Sequence, residues 1–181
     1  MTQSTPAARG GIFGLLDAIP DSFLSLCARI FPAAVFWMSG ETKVDGDDIV
    51  TLYQKARDGH LQDSAMVFVN KLAGMPLKDS AIALFKDEYK VPFIDPTAAA
   101  HLAAFAEHFF PFLLVIGFAS RFAALALLGM TAVIEVFVYP ESWPLHGVWA
   151  TCFLVVIARG AGVVSLDYLI AKLFGYPTHR Y

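Results

Sequence analysis

Four stretches of the chain are apolar over most of their length and are long enough to cross a bilayer. A transmembrane helix needs about 20 mostly apolar residues, because each residue advances about 1.5 Å through a hydrocarbon core about 30 Å thick. The last stretch is the shortest, and interfacial anchoring would let it span as well. The predicted spans are residues 22–40, 97–118, 121–139 and 143–159.

The segment between the first two spans has an amphipathic pattern instead. DDIVTLYQKARDG, DSAMVFVNKLAG and KDSAIALFKDEYK each place Asp or Ser close to apolar residues at helical spacing. They predict two or three short helices that cap the bundle over about residues 44–92. After Gly160 and Gly162, residues 163–174 predict an amphipathic tail helix, while residues 12–19 are too short to span and are expected at the interface.

These elements predict an all-α fold. It is a bundle of four transmembrane helices, with short amphipathic helices in the first extracytoplasmic loop. The length of 181 residues favours a single membrane domain that includes the whole chain.

The composition indicates a lipid environment and argues against one class of partner. Hydrophobic residues make up 57% of the chain and charged residues only 16%, against about 25% charged in soluble domains. Ten of the sixteen acidic and seven of the thirteen basic residues fall within residues 41–96, which leaves the predicted spans poor in charge. The net charge of −3, with no basic stripe, argues against nucleic acid. The expected partners are the lipid bilayer and a protein in a membrane complex, with a homo-oligomer left open.

The basic residues outside residues 41–96, apart from Arg29 within the first span, predict an orientation. In a four-span topology they all fall on one side of the membrane, which the positive-inside rule assigns to the cytoplasm. Both termini are therefore expected in the cytoplasm of a bacterium, with the chain in its inner membrane and the cap outside. These residues are Arg9, Arg121, Arg159, Lys172 and Arg180.

Ionisable residues within the spans are the candidates for function, since a buried charge at bilayer depth is costly and needs a partner. Helical rise places Glu107 near the midplane, within reach of Arg29, so the two are predicted to form an ion pair. Whether that pair is structural or functional stays open. Glu135 and His146, together with His101, are expected near the outer edge under the cap, where Glu41 and Lys43 could join them.

The residue types in these positions indicate proton chemistry. Histidine and carboxylate groups together can transfer protons coupled to redox chemistry, so Glu107, Glu135 and His146 form a predicted proton relay. Arg29 and His108 are candidates for a polar site that faces a quinone. A metal site at His101, Glu135 and His146 is a weaker alternative, because no HxxxH or ExxH pair supports it.

Other motifs are absent from the sequence. It contains no Walker loop, GxGxxG, GxSxG or haem-binding CxxCH, which excludes nucleotide-driven proteins and simple hydrolases. Cys27 and Cys152 lie in separate spans with no CxxC spacing, and we interpret them as small apolar residues. No intrinsic cofactor is expected, and a quinone is the candidate ligand.

Three segments resemble the DoxX family of membrane proteins. They are Arg29 followed by PAAVFWMSGETK, then residues 84–125, and finally residues 129–167, and together they cover about three quarters of the chain. The resemblance implies a four-helix membrane bundle with a link to redox biology, since members resemble the membrane subunit of a thiosulfate:quinone oxidoreductase. Carried over by position, it adds Arg121 to the polar pattern and to the candidate quinone-facing site. An insertion at about residues 44–80 departs from the family pattern.

The sequence thus favours an accessory or quinone-facing subunit of a membrane-bound redox system. Such a chain would not be a complete enzyme alone, because its electrons would come from a partner. Two alternatives remain open: a structural or assembly subunit of a membrane complex, and a membrane protein that handles small solutes or metals.

Overall fold

The structure is a computed structural model, and it describes residues 19–176, so residues 12–18 of the predicted interfacial segment, with Arg9 and Arg180, lie outside the described part. Within residues 19–176 the regular structure is helical, as predicted. The four long helices are α1 (Asp21–Glu41), α5 (Pro96–Ile116), α6 (Ser120–Phe137) and α7 (Trp143–Arg159). The short ones are α2 (Ile49–Arg57), α3 (Leu61–Leu72), α4 (Asp79–Leu84) and α8 (Leu166–Leu173).

Local sequence signals set the ends of α5. The Asp95 carboxylate accepts hydrogen bonds from the amides of Thr97 and Ala98 at 3.0 and 3.1 Å, and Pro96 occupies the first helical position. Both features are favoured at a helix start. The helix ends at Gly117, whose φ of 70° is the left-handed conformation that glycine adopts without strain.

The four long helices form one bundle. α1 packs against α5 and α7, and α6 packs against the same two helices, so each helix has two neighbours. Small alanines and large apolar side chains fill the centre, including Ala33, Phe36, Leu114, Leu127 and Phe153. The outward faces carry exposed apolar residues such as Phe31 and Phe122, as a lipid-facing surface requires. Four helical segments of the described part are long and apolar enough to cross a membrane.

Three short helices and a π-helical turn at Phe85–Tyr89 lie over one end of the bundle, and we call this group the cap. The chain after α1 is joined to the cap by backbone hydrogen bonds: Lys78 N–H to the Lys43 carbonyl and Asp45 N–H to the Pro76 carbonyl, both 2.9 Å. Phe85 packs on the first turns of α5. The cap therefore covers the start of α5 and the end of α1 together.

The opposite end of the bundle is closed by the segment around α8. The Asp167 carboxylate accepts hydrogen bonds from Ala119 N–H at 2.8 Å and Ser120 N–H at 2.9 Å, which caps the amino end of α6. The Asp167 amide donates to the Gly117 carbonyl at 2.8 Å. The start of α8 is thus fixed to the short α5–α6 link.

Candidate functional site

A buried ion pair joins the end of α1 to the middle of α5. The Lys43 ammonium lies 2.7 Å from Oε2 of Glu107, and both side chains are more than nine-tenths buried. Lys43 also donates to Oε1 of Glu107 at 3.0 Å and to the Ser39 hydroxyl at 3.1 Å, and that hydroxyl donates to the same Oε1 at 3.1 Å. Oε2 is thus the carboxylate oxygen nearest to the ammonium.

The predicted Arg29–Glu107 ion pair is wrong. Arg29 is fully buried, but its guanidinium donates to the carbonyls of Leu114 at 2.9 Å and Val164 at 2.6 Å, at the end of the bundle away from the cap. Arg29 and Ser39 are ten residues apart on α1, which is about 15 Å along the helix. Since Ser39 contacts Glu107, the arginine and the carboxylate lie at different levels of the bundle.

A second buried charge pair links α1 to the cap. The Lys71 side chain on α3 is fully buried, and its ammonium lies 2.5 Å from the carboxylate of Glu41. Trp37 donates its indole N–H to the other oxygen of Glu41 at 3.0 Å. The Lys78 ammonium donates to the Glu41 backbone carbonyl at 2.9 Å. The last residue of α1 therefore binds two lysines of the cap.

His108 lies beside this pair and is completely enclosed. Its Nδ1 is 2.8 Å from the Ala104 carbonyl, so Nδ1 carries the proton, because a carbonyl can only accept. The ring meets Trp37 edge-on at 4.9 Å, and it fills the space over Gly40. Among residues 19–176, no group forms a hydrogen bond with the buried Nε2. His108 does not line the cavity described below, so the structure separates it from that pocket.

Glu135 and His146 are in direct contact across α6 and α7. His146 Nδ1 lies 2.5 Å from Oε2 of Glu135, with the imidazole almost fully buried and the carboxylate partly exposed. Because the carboxylate accepts, Nδ1 is the nitrogen that donates in this contact. The ring also packs on Trp149 at 5.0 Å. These two residues are thus close together near one end of the spans, as expected from the sequence.

A cavity of about 340 Å³ lies between the four long helices and the π-helical turn, and we call it the cap-end cavity. Most of its walls are apolar, from residues such as Phe36, Leu102, Ala103, Met130 and Val133. Its polar or partly polar residues are Ser39, Lys43, Tyr89, Glu107, Tyr139, His146 and Trp149. Apolar walls with a few convergent polar groups are typical of small-molecule sites of this size.

Two tyrosines stand at the cap side of the cavity. The Tyr139 hydroxyl donates to the Tyr89 hydroxyl at 3.2 Å, and the rings meet edge-on at 5.6 Å. Burial is the main reason that the pKa of Tyr89 is raised well above its usual range. The hydrogen bond from Tyr139 and the electrostatic interaction between the two hydroxyl groups raise it further. Tyr89 therefore stays a neutral hydroxyl at physiological pH.

Other predicted site residues lie elsewhere. Arg121 is exposed at the end of the bundle away from the cap, and His101 is exposed on α5. Within residues 19–176 no three His, Cys, Asp or Glu side chains come together as a metal site would require, so His101 does not complete a ligand set with Glu135 and His146. The predicted polar groups thus fall at several places rather than at one.

Sequence reasoning missed Lys71 and Tyr89. Lys71 follows Ser64 and Phe68 at helical spacing, on the face of α3 that the apolar pattern turns inward. A lysine on such a face was the available signal that a buried carboxylate lies opposite. Tyr89 had no comparable signal, since its role depends on the irregular π-helical turn.

Fold and cavity together define a helical membrane protein with four candidate spans and a polar-lined pocket under its cap. The chain belongs to the DoxX family, whose sequence profile matches residues 24–140. It is also 34% identical over 106 residues to an uncharacterized protein of Haemophilus influenzae, and this match covers 53% of this chain and 69% of that protein. No solved structure matches the chain. The family match ends before α7, which contributes His146 and Trp149 to the cavity.

Proposed function

We propose that this DoxX-family protein is an accessory, quinone-facing subunit of a membrane-bound redox system and that it binds the quinone ring in the cap-end cavity. The observation that carries the proposal is the cavity itself, which combines apolar walls with the Lys43–Glu107 pair and with His146, whose other contact is Glu135. A quinone likewise has an apolar part, its ring and tail, and a polar part, its two oxygens. A ligand of that kind satisfies both parts of the lining.

The tail of such a ligand would leave through the apolar side of the cavity. Leu102 on α5 and Val133 on α6 line the cavity and are also 58% and 42% exposed. An alkyl or isoprenoid chain passing between them would stay in contact with apolar atoms until it reaches lipid. The polar ring would remain near Glu107 and His146.

The polar residues would transfer protons rather than electrons. Glu107 is enclosed in the cavity wall, whereas Glu135 is partly exposed and is bonded to His146. A proton received by His146 Nε2 can be balanced by release of the Nδ1 proton to Glu135, which leads outwards. A partner protein would supply or remove the electrons, because the chain has no cofactor-binding motif of its own.

The orientation follows from the basic residues at the ends of the spans. We place the chain in the bacterial inner membrane with both termini in the cytoplasm, so the cap and the cavity face the outside. A reporter fused to the carboxyl terminus tests this. Green fluorescent protein should fluoresce there and alkaline phosphatase should be inactive, and the reverse result would invert the topology.

Binding is best tested with the tryptophans of the chain. Quinones quench indole fluorescence on contact, and Trp149 lines the cavity whereas Trp143 is exposed on the same helix outside it. A decyl-tailed benzoquinone should quench the purified protein in nanodiscs saturably. Trp149→Phe should remove much of that quenching, and Trp143→Phe should keep it. Quenching that does not saturate, or that is equal in both variants, would reject a site in the cavity.

A structural or assembly subunit remains the second candidate, because each buried charge already has a protein partner. Arg29 and Lys71 illustrate this, with the bonds to two carbonyls and to Glu41 described above. Glu107→Gln in the native complex separates the two functions. Lost quinone-linked turnover at unchanged assembly supports the redox function, and unchanged turnover with reduced stability supports the structural one.

A further inference from the structure

We infer that the outer face of α3 lies in the hydrocarbon of the bilayer, in the leaflet on the cap side, so that this part of the cap is immersed in lipid rather than held above it in water. Two features of the molecule support this placement: the depth at which α3 contacts the spans, and the side chains that α3 turns outwards. Neither depends on which ligand the cap-end cavity binds.

Helix α1 ends beside the middle of α5. The Ser39 hydroxyl donates to Glu107, which lies eleven residues after Pro96, or about 16 Å along α5 from its start. Only two residues beyond Ser39, α1 ends at Glu41. The first half of α5 therefore extends past the end of α1, and there it packs against the cap, where Phe85 contacts it.

Helix α3 and the residues after it contact the same helix at least as deeply. The Phe68 ring stacks on Trp37 at 5.9 Å and meets Phe112 edge-on at 5.7 Å. A Cβ added at Gly74 would lie 2.6 Å from the backbone nitrogen of Phe105. Phe105 and Phe112 are about 13 and 24 Å along α5 from its start, because each residue advances about 1.5 Å. If α5 crosses the membrane, α3 lies at bilayer depth.

The polarity of α3 is inverted relative to a helix on a water-exposed surface. Its buried face carries Ser64 and Lys71, which are seven residues apart on one side of the helix, and Lys71 is paired with Glu41. Its outer face carries Met66 and Val69, which are 60% and 57% exposed. A helix between protein and water turns its apolar residues inwards, whereas a helix between protein and lipid turns them outwards.

Charge limits how much of the helix can be immersed. After Asp63, the only charged residue of α3 is Lys71, which is fully buried, and the exposed polar side chain of Asn70 is uncharged. We therefore place residues 64–72 in the hydrocarbon and the charged residues 57–63 among the lipid headgroups. A surface beside the middle of a span borders acyl chains, so its depth points to lipid rather than to a water-soluble protein.

Spin labels on the full chain in nanodiscs test this placement. Single cysteines are introduced by Met66→Cys and Val69→Cys after Cys27 and Cys152 have been replaced by alanine. Val148→Cys on α7 is the lipid reference, because Val148 is 59% exposed, as Met66 and Val69 nearly are. Lys55→Cys on α2 is the water reference, since that side chain is charged and exposed. Oxygen partitions into hydrocarbon and a chelated nickel complex stays in water. The ratio of collision rates at residues 66 and 69 should therefore equal that at residue 148 and exceed that at residue 55.

A second measurement uses the unaltered chain. Hydroxyl radicals generated in water oxidise methionine readily, and both Met66 on α3 and Met38 on α1 are exposed on the protein surface. In nanodiscs both should be oxidised more slowly than in the unfolded chain, and to the same degree, because lipid covers both. Mass spectrometry of the peptides measures the two rates.

Two results would overturn the inference. Nickel access at residues 66 and 69 as high as at residue 55, or oxidation of Met66 without protection, would place α3 in water above the bilayer. Labels shielded from oxygen and nickel alike would show that protein, either a partner or a second copy of this chain, covers the face instead.

Discussion

The Lys43 ammonium and the Glu107 carboxylate lie 2.7 Å apart in a fully enclosed pair, which ties the chain just after α1 to the middle of α5. Ser39, one turn before Lys43, completes the cluster through bonds to both residues. The cluster is at once a wall of the cap-end cavity and a link between two helices. Its substitution therefore tests structure and ligand binding together.

Removing one member of this pair should destabilise the protein more than removing both. Lys43→Met leaves a buried carboxylate without its cation, which costs about 3–5 kcal/mol, whereas the double variant Lys43→Met/Glu107→Leu leaves no charge behind. Unfolding in mixed micelles should show the double variant to be more stable than Lys43→Met. Additive destabilisation by the two changes would contradict a coupled pair.

Gly40 should not tolerate a methyl group. A Cβ there would lie 2.5 Å from Cε1 and 2.7 Å from Nδ1 of His108, whose ring is held by the Ala104 carbonyl and by Trp37. Gly40→Ala should destabilise the protein by about 1–3 kcal/mol through overpacking. The measurement is the unfolding midpoint in detergent.

Gly129→Ala is the matched control for this experiment. Gly129 lies inside α6, and a Cβ added there would have open space within 4 Å, so alanine should be neutral or stabilising by up to about 1 kcal/mol. Equal losses in the two variants would show that the contact with His108 is not the cause.

Arg29 should hold the end of the bundle away from the cap. Arg29→Met removes bonds to the Leu114 and Val164 carbonyls, each worth about 1.5–3 kcal/mol because the donor is charged. We expect faster hydrogen exchange at residues 161–169 and a lower unfolding temperature. Arg159→Gln, which breaks an exposed pair with Asp21, should cost less than about 1 kcal/mol. Similar effects of the two changes would contradict this role.

Glu41 should control attachment of the cap. Glu41→Gln leaves the ammonium of Lys71 buried without its counter-ion, so hydrogen exchange should accelerate over residues 61–78 while the spans stay protected. Lys55→Gln removes an exposed pair with Asp47 in the same cap and should leave exchange unchanged. Uniform acceleration along the whole chain would indicate global unfolding instead of cap release.

Tyr89 should make stability depend on alkaline pH. Its pKa is raised in the folded state, so the folded protein keeps this proton where the unfolded chain loses it, above about pH 10. The stability of the wild type relative to Tyr89→Phe should be constant below about pH 10 and should fall above it. Thermal unfolding of both proteins between about pH 8 and pH 11 measures the difference. A constant difference over that range would contradict the raised pKa.

The sequence predicted the spans well and the ion pairs less well, for one physical reason. Hydrophobic length identifies a helix but not its height in the bundle. In the sequence, the alanines at the start of α5 are equally suited to face lipid or to pack on other residues. In the structure they pack on Phe85 under the cap, and they are Ala99, Ala100 and Ala103. Ser39 rather than Arg29 therefore lies level with Glu107, and Arg29 was paired with it in error.

The proximity of Glu135 and His146 could be predicted because only a short turn separates their helices. Two residues at similar distances from such a turn must lie at similar heights, whatever the rest of the fold does. Lys71 could not be matched with Glu41 in that way, because thirty residues of irregular and helical chain separate them. Tertiary packing alone decides that contact.

The two anchor points on α1 also restrict how the bundle can move. Arg29 holds the carboxyl end of α5. Ser39, about 15 Å further along α1, holds the middle of α5 together with Lys43. Sliding α5 by one turn would break both attachments at once, so α1 and α5 behave as one rigid frame. Any widening of the cavity to admit a molecule must then come from tilting of α6 and α7 or from lifting of the cap.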